Sequence, residues 1–258
     1  MDNGQRRKNL AAQIKRFQRL PLFFNGIELK EVLCVISLCP AGNMGVESGN
    51  LSACRTLLLD ALGVEHRRLF GCRQTHSRVV ALAEGDGRLV DADGLAGTGG
   101  AALSVTVADC LPVYLYDTVS GAFAICHSGW KGTGIAINAL NIMKEHFGTK
   151  PDNVAALLGP CIQVWDYQVD YERASIFSAE FDCGNGARPL GPPVKQKYKK
   201  YFIDMQAANA AILTLAGVKN ISVCKNSTFT DKRLGSFRRE GKNFTKMMAL
   251  IKNNKKII

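Results

Sequence analysis

At 258 residues, with 47% hydrophobic and 21% charged side chains, the chain can bury a full core without staples. No apolar run approaches the length that crosses a bilayer, so a soluble globular class is expected, and the length is compatible with one large α/β domain, the favoured reading, or two small ones. The net charge of +11 is peripheral, crowded into residues 6–19, 195–200 and 238–256 without a recognised nucleic-acid motif, so neither nucleic acid nor membrane is expected as a partner.

Residues 1–20 carry Leu10, Ile14, Phe17 and Leu20 at spacings of four, three and three, which predicts an amphipathic helix closed by Pro21. Residues 1–29 are therefore read as a basic N-terminal segment and residues 30–258 as the domain. Residues 31–38 predict a strand, 42–49 a loop and 51–62 a helix ended by Gly63. Residues 67–73 and 79–83 read as strands flanking Q-T-H-S, which puts His76 in a turn. Residues 85–100, rich in Gly and Asp, read as a long surface loop or lid.

Two apolar runs follow, A-L-S-V-T-V-A and A-F-A-I-C-H, with Cys110 just after the first and His127 ending the second. Such runs mark strands buried on both faces, and ligands in α/β sheets sit beyond strand ends, so both residues are predicted at one rim. Gly129, Gly132 and Gly134 allow a tight turn before a helix over 135–147, whose first amides would hold an anionic oxygen. Residues 154–158 predict a buried strand before the Gly159-Pro160 turn, and 183–200 are loop-like. Asp204 caps a helix that Gly217 stops, 221–224 is the last clear strand, and 235–241 is a basic turn. Nine cysteines, an odd number without a C-x-x-C pair, fit reduced thiols in the cytoplasm rather than a disulfide framework.

His76, Cys110 and His127 all fall beside strand ends. Two imidazoles and a thiolate with a fourth position open is the arrangement of catalytic zinc. The same residues also read as a thiolate–imidazole pair, Cys110 as nucleophile and His127 as base, with His76 or Asp109 orienting the base. The plain alternative is a buried cysteine and two incidental histidines.

Q-T-H-S-x-V, A-D-C-L-P-V, H-S-G-W-K-G, G-P-C-I and F-R-R-E-G, in this order, resemble the bacterial family labelled multicopper polyphenol oxidase or laccase-like and linked to purine nucleoside phosphorylase and adenosine deaminase activities. The resemblance runs from about residue 30 to the C-terminus. It implies a single domain with a mixed sheet packed between helices, three layers in all, and one zinc held by His76, Cys110 and His127. It also implies phosphorolysis of adenosine, inosine, guanosine and methylthioadenosine, and deamination of adenosine. In that reading Asp109 carries the proton for deamination. The amides of Gly129 to Thr133, including Gly132, with Lys131 and Arg55, hold phosphate, and Arg238 is counted with the substrate-binding residues. Lys131 replaces a usual arginine, Cys54-Arg55 replaces an Asn-Arg pair, and Phe244-Thr245-Lys246 replaces Thr-Gly-Arg. Four histidines without a His-x-His pair argue against a copper cluster, which leaves copper-dependent polyphenol oxidation as a lesser alternative. A metal-free cysteine hydrolase or amidase acting on peptidoglycan precursors is the other enzyme reading, and a basic binding module the non-enzymatic one. The expected state is monomer or homodimer.

Overall fold

The apolar runs pair into two mixed six-stranded sheets in the computed structural model, which describes residues 19–22, 32–46, 53–184 and 188–253. The first sheet has β1 (Arg19–Leu22), β2 (Val32–Ser37), β3 (Leu69–Cys72), β5 (Leu89–Val90), β7 (Ala102–Val107) and β15 (Met247–Asn253), in the order β1-β2-β15-β7-β3-β5. The second has β4 (Val80–Leu82), β6 (Gly94–Gly97), β8 (Leu111–Asp117), β9 (Phe123–Ser128), β10 (Val154–Leu158) and β14 (Asn220–Val223), in the order β14-β10-β8-β9-β6-β4. A small third sheet joins β11 (Gln168–Val169), β12 (Val194–Lys197) and β13 (Lys200–Ile203).

The α/β class follows from strand alternation. On β7, Leu103, Val105 and Val107 point toward the second sheet, where they meet Tyr114, Phe123, Ile125 and Leu157 in a shared core. Ala102 of β7, with Met248 and Leu250 of β15, points the other way, against helix α1 (Ala53–Leu62). On β8, Leu111, Val113 and Leu115 face helices α2 (Ile135–Phe147), α3 (Tyr171–Phe181) and α4 (Met205–Leu215). Phe123 is fully buried, and truncating it to alanine would cost about 3–5 kcal/mol. Because two sheets each bury a face against the other, the layers number four, helix–sheet–sheet–helix, where one sheet in three layers was expected. The mixed α/β single-domain class holds.

Several local expectations change. The expected N-terminal helix falls largely on residues 1–18, outside the described ones, but Arg19 and Leu20 belong to a strand paired antiparallel with β2. Pro21 is tolerated there because β1 is an edge strand. The expected lid over 85–100 contains β5 and β6, and residues 92–97 are buried. The loop-like 183–200 holds β12 and the start of β13, with residues 185–187 outside the described ones. The basic turn 235–241 contains a short helix, α5 (Phe237–Glu240). Within the basic C-terminal stretch, M-M-A-L-I forms β15, an interior strand of the first sheet. Among the described residues no helix is long and apolar enough to cross a membrane.

Candidate metal centre

The site lies where the chain crosses between sheets. His76 sits between β3 of the first sheet and β4 of the second, Cys110 in the bend from β7 to β8, and His127 near the end of β9. The nitrogen and sulfur donor atoms of these three residues all lie within 4.8 Å of one another. The two imidazole rings meet edge to face, 4.9 Å between centroids.

One residue within the stretch expected as a lid organises this arrangement. Asp93, fully buried at the start of β6, accepts hydrogen bonds from the backbone N–H groups of Thr75 (3.0 Å), His76 (3.0 Å) and Ser77 (2.8 Å) and from the Ser77 hydroxyl (2.7 Å). It also faces His127 Nδ1 at 2.8 Å, and an ionised carboxylate there makes Nδ1 the donor and turns Nε2 to the cluster. Burial alone would raise the Asp93 carboxyl, but the hydrogen bonds from His127, Ser77 and Thr75 overcome that and hold it well below the usual carboxylate range. Gln74 ties the same turn to β7. Its amide oxygen accepts from Thr106 N (2.7 Å) and Oγ1 (2.8 Å) while its nitrogen donates to Thr106 O (2.8 Å).

Two of the bends use left-handed backbone at non-glycine residues, φ 61° at His76 and φ 79° at Asp109. Each costs on the order of 1–3 kcal/mol, which the Asp93, Gln74 and Asp109 bonds offset. Glycine is required beside them. A Cβ on Gly129 would stand 2.9 Å from Cys110 Sγ, and one on Gly132 would stand 3.1 Å from Ser77 O and 3.3 Å from His127 O.

Burial pushes the Cys110 thiol up, but the charges and hydrogen bonds of His127 and His76 outweigh it and bring the thiol down to about 6. Burial likewise disfavours the charged His127, yet the Cys110 thiolate and Asp93 raise it to about 9. Two imidazoles and a readily ionised thiol, one imidazole aimed by a buried carboxylate, fit a metal ion of the zinc type.

The centre opens on a cavity of about 530 Å³, within the range of small-molecule pockets. Trp130, Tyr167, Phe237 and Phe244 supply aromatic surface, Arg173, Arg238 and Lys246 positive charge, and Asp109 the one carboxylate of the described lining. Asp109 Oδ1 accepts from the Thr228 hydroxyl (2.6 Å) and Oδ2 from Arg238 N (2.7 Å), which anchors α5 to the site.

The expected anion site is arranged differently. Arg55 is buried, donating to Met44 O (3.0 Å) and Ser104 Oγ (3.5 Å), and does not line the cavity. Burial lowers its guanidinium from its ordinary range. Lys131 is exposed, 5.6 Å from the Trp130 ring centre, and is also absent from the lining. Gly129, Gly132 and Thr133, expected to present their amides to phosphate, are also absent from the lining, and the first helical amides, of Ile135 and Ile137, are satisfied by Gly132 O (3.0 Å) and Gly134 O (3.0 Å). Arg238 does line the cavity. Sequence reasoning missed Asp93, Gln74, Tyr167 and Arg173. The fragment A-D-G-L-A-G, an acid inside a small apolar run, was the available signal for Asp93.

Fold and site together define an α/β protein with a two-histidine, one-cysteine centre at a sheet crossing. The chain belongs to the family described as multi-copper polyphenol oxidoreductase laccase, which matches residues 40–254. A purine nucleoside phosphorylase of Corynebacterium glutamicum is 32% identical over 205 residues, 77% of this chain and 80% of that protein. An adenosine deaminase from an unknown prokaryotic organism is 31% identical over 213 residues, 74% of this chain and 79% of that protein. In fold, a hypothetical protein of Bacillus licheniformis superposes with a TM-score of 0.76 at 22% identity, covering 88% of this chain and 94% of that one. A Neisseria meningitidis protein gives 0.76 at 24% identity, covering 92% and 100%.

Proposed function

We propose that this protein is a zinc-dependent purine nucleoside enzyme, cleaving adenosine, inosine, guanosine and methylthioadenosine by phosphorolysis and deaminating adenosine. The observation that carries the reading is the His76–Cys110–His127 group opening on a cavity lined by aromatic and cationic side chains. The names of its relatives support the substrate class.

Zinc in a set of two imidazoles and a thiolate supplies Lewis acidity at neutral pH. The protein's own groups do the rest. The aromatic walls offer faces against which a purine stacks. In phosphorolysis a phosphate oxygen bonds to the anomeric carbon as its bond to the purine nitrogen breaks; the electron pair stays on the base, which takes up the phosphate's proton. In deamination water adds to the purine carbon bearing the amine, and ammonia leaves. As the one carboxylate of the described lining, Asp109 is the residue to take a proton from that water and return it to the leaving amine, and the hydroxyl of Thr228 can rotate to release Oδ1 for it.

Four histidines in the whole chain, with His66 bonded to Asp60 and His146 beside Phe147, do not provide for a copper cluster despite the family label. The proximity of the Cys110 thiol to His127, whose charge lowers that thiol, supports a second reading, since a cysteine hydrolase needs the same pair. Nine cysteines, none in a disulfide, suit action in the reducing cytoplasm.

The test is product analysis with inosine plus phosphate, and with adenosine alone. We expect hypoxanthine with ribose 1-phosphate from the first and inosine from the second, both lost in Cys110→Ser together with bound metal. Turnover in neither mixture by metal-loaded protein would reject the reading.

A further inference from the structure

The cavity has more positive charge than the centre uses. Arg173 and Arg238 both line it, and among the described residues neither guanidinium makes an ion pair. The fold nevertheless holds both in place. Arg173 lies in the first turn of α3, its N–H given to the cap Asp170 (2.7 Å) and its guanidinium stacked 4.8 Å from the Trp130 ring centre. Arg238 gives its N–H to Asp109 (2.7 Å) and one Nη1 bond to Gln168 O (3.0 Å), and its guanidinium lies 5.4 Å from the Tyr167 ring centre.

Tyr167 stands between the two, its ring under the Arg238 guanidinium and its hydroxyl near enough to Arg173 to feel that charge. Burial, with the Cys110 charge, pushes that hydroxyl up to about 12, so it stays a donor at neutral pH. Two planar forks and a phenol, beside one carboxylate whose oxygens already accept hydrogen bonds, make a receptor for an oxyanion. Of the loop expected to do this, only Trp130 lines the cavity, and Gly129, Lys131, Gly132 and Thr133 do not.

We propose that Arg173, Arg238 and Tyr167 form the oxyanion subsite of this cavity and take inorganic phosphate as the second reactant. The assignment rests on the phosphorolysis reading above, so its test includes binding without turnover. Thermal-shift titrations with inorganic phosphate, without nucleoside, compare wild type with Arg173→Gln, Arg238→Gln and Arg173→Lys. Steady-state kinetics then give KM for phosphate and for inosine separately.

We expect either glutamine variant to weaken phosphate binding and raise its KM on the order of tenfold or more, with Arg173→Lys in between. The KM for inosine should rise by less than about threefold, because the nucleoside is bound by other walls. Phosphate binding that depends on the arginines without any phosphorolysis would reject the activity and keep the subsite. Adenosine 5′-monophosphate is the second titrant. Arginine-dependent binding of the monophosphate with no response to inorganic phosphate would overturn the assignment in favour of a nucleotide substrate. So would a rise in inosine KM alone, or a loss of phosphate binding in Lys131→Ala that the arginine variants do not share.

Discussion

Replacing Asp93 by asparagine tests how the centre is built. The carboxylate faces five protein donors, two at Oδ1 (His76 N and His127 Nδ1) and three at Oδ2 (Thr75 N, Ser77 N and Ser77 Oγ). Asparagine keeps one oxygen and turns an NH₂ toward at least two of these donors, whichever way it lies. Two lost charge-assisted bonds at about 1.5–3 kcal/mol each give about 3–6 kcal/mol. At about 2 °C per kcal/mol for a chain of this size, melting should fall by about 6–12 °C. Metal affinity should fall about 10–100-fold, since His127 loses its orienting partner. Thermal melting and competitive chelator titration read the two effects. The carboxyl is depressed in the folded state, so its contribution is present above the unfolded carboxyl range near pH 3.9 and lost as pH falls below it. The gap between wild type and variant should therefore close in acid. A variant melting within about 2 °C of wild type with unchanged metal affinity would refute the role given to Asp93.

Gly129→Ala places a methyl 2.9 Å from Cys110 Sγ, so metal affinity should fall at least about tenfold while the fold loses about 1–3 kcal/mol; a variant that keeps its metal affinity counts against the packing argument. In metal-stripped protein, Cys110 should alkylate with a pH midpoint near 6. Its thiolate persists down to that pH, while His127 stays protonated until about 9. The pair's stabilisation thus spans this window, lost below it as the thiolate protonates and above it as the imidazolium deprotonates. Bound metal should block the reaction, and rapid alkylation of the metal-loaded protein would favour the cysteine-hydrolase reading. Arg55→Ala should act as a core lesion costing about 2–4 kcal/mol, read by denaturant melting, and a raised phosphate KM at unchanged stability would return Arg55 to the substrate.

That His76, Cys110 and His127 come together was legible because each follows or ends an apolar run, and a strand end is where a side chain can face a cavity. What remained illegible was which sheet each run joins. The runs before and after His76, and those on either side of Cys110, belong to different sheets. His76 and Cys110 therefore lie at crossings between sheets, while His127 ends a strand within the second sheet, a distinction that apolar periodicity does not carry. Asp93 was hidden because glycine and aspartate in 85–100 read as solvent-facing, whereas here they allow close strand packing and a buried acceptor. Arg173 and Tyr167 were missed for another reason. They reach the cavity from α3 and from just before β11, far along the chain from the ligands. The basic loop 129–134 was legible as a tight turn but not as one whose first helical amides bond within the turn.

We propose that His76, Cys110 and His127 together hold one zinc ion. Zinc absorption-edge spectroscopy on protein purified without added metal, with element analysis of the same sample, tests it most directly. We expect about one zinc per chain, with one sulfur at about 2.3 Å and nitrogen neighbours at about 2.0–2.1 Å, the sulfur shell vanishing in Cys110→Ser. Protein that turns over nucleosides fully without zinc, or zinc lacking a sulfur neighbour, would contradict it.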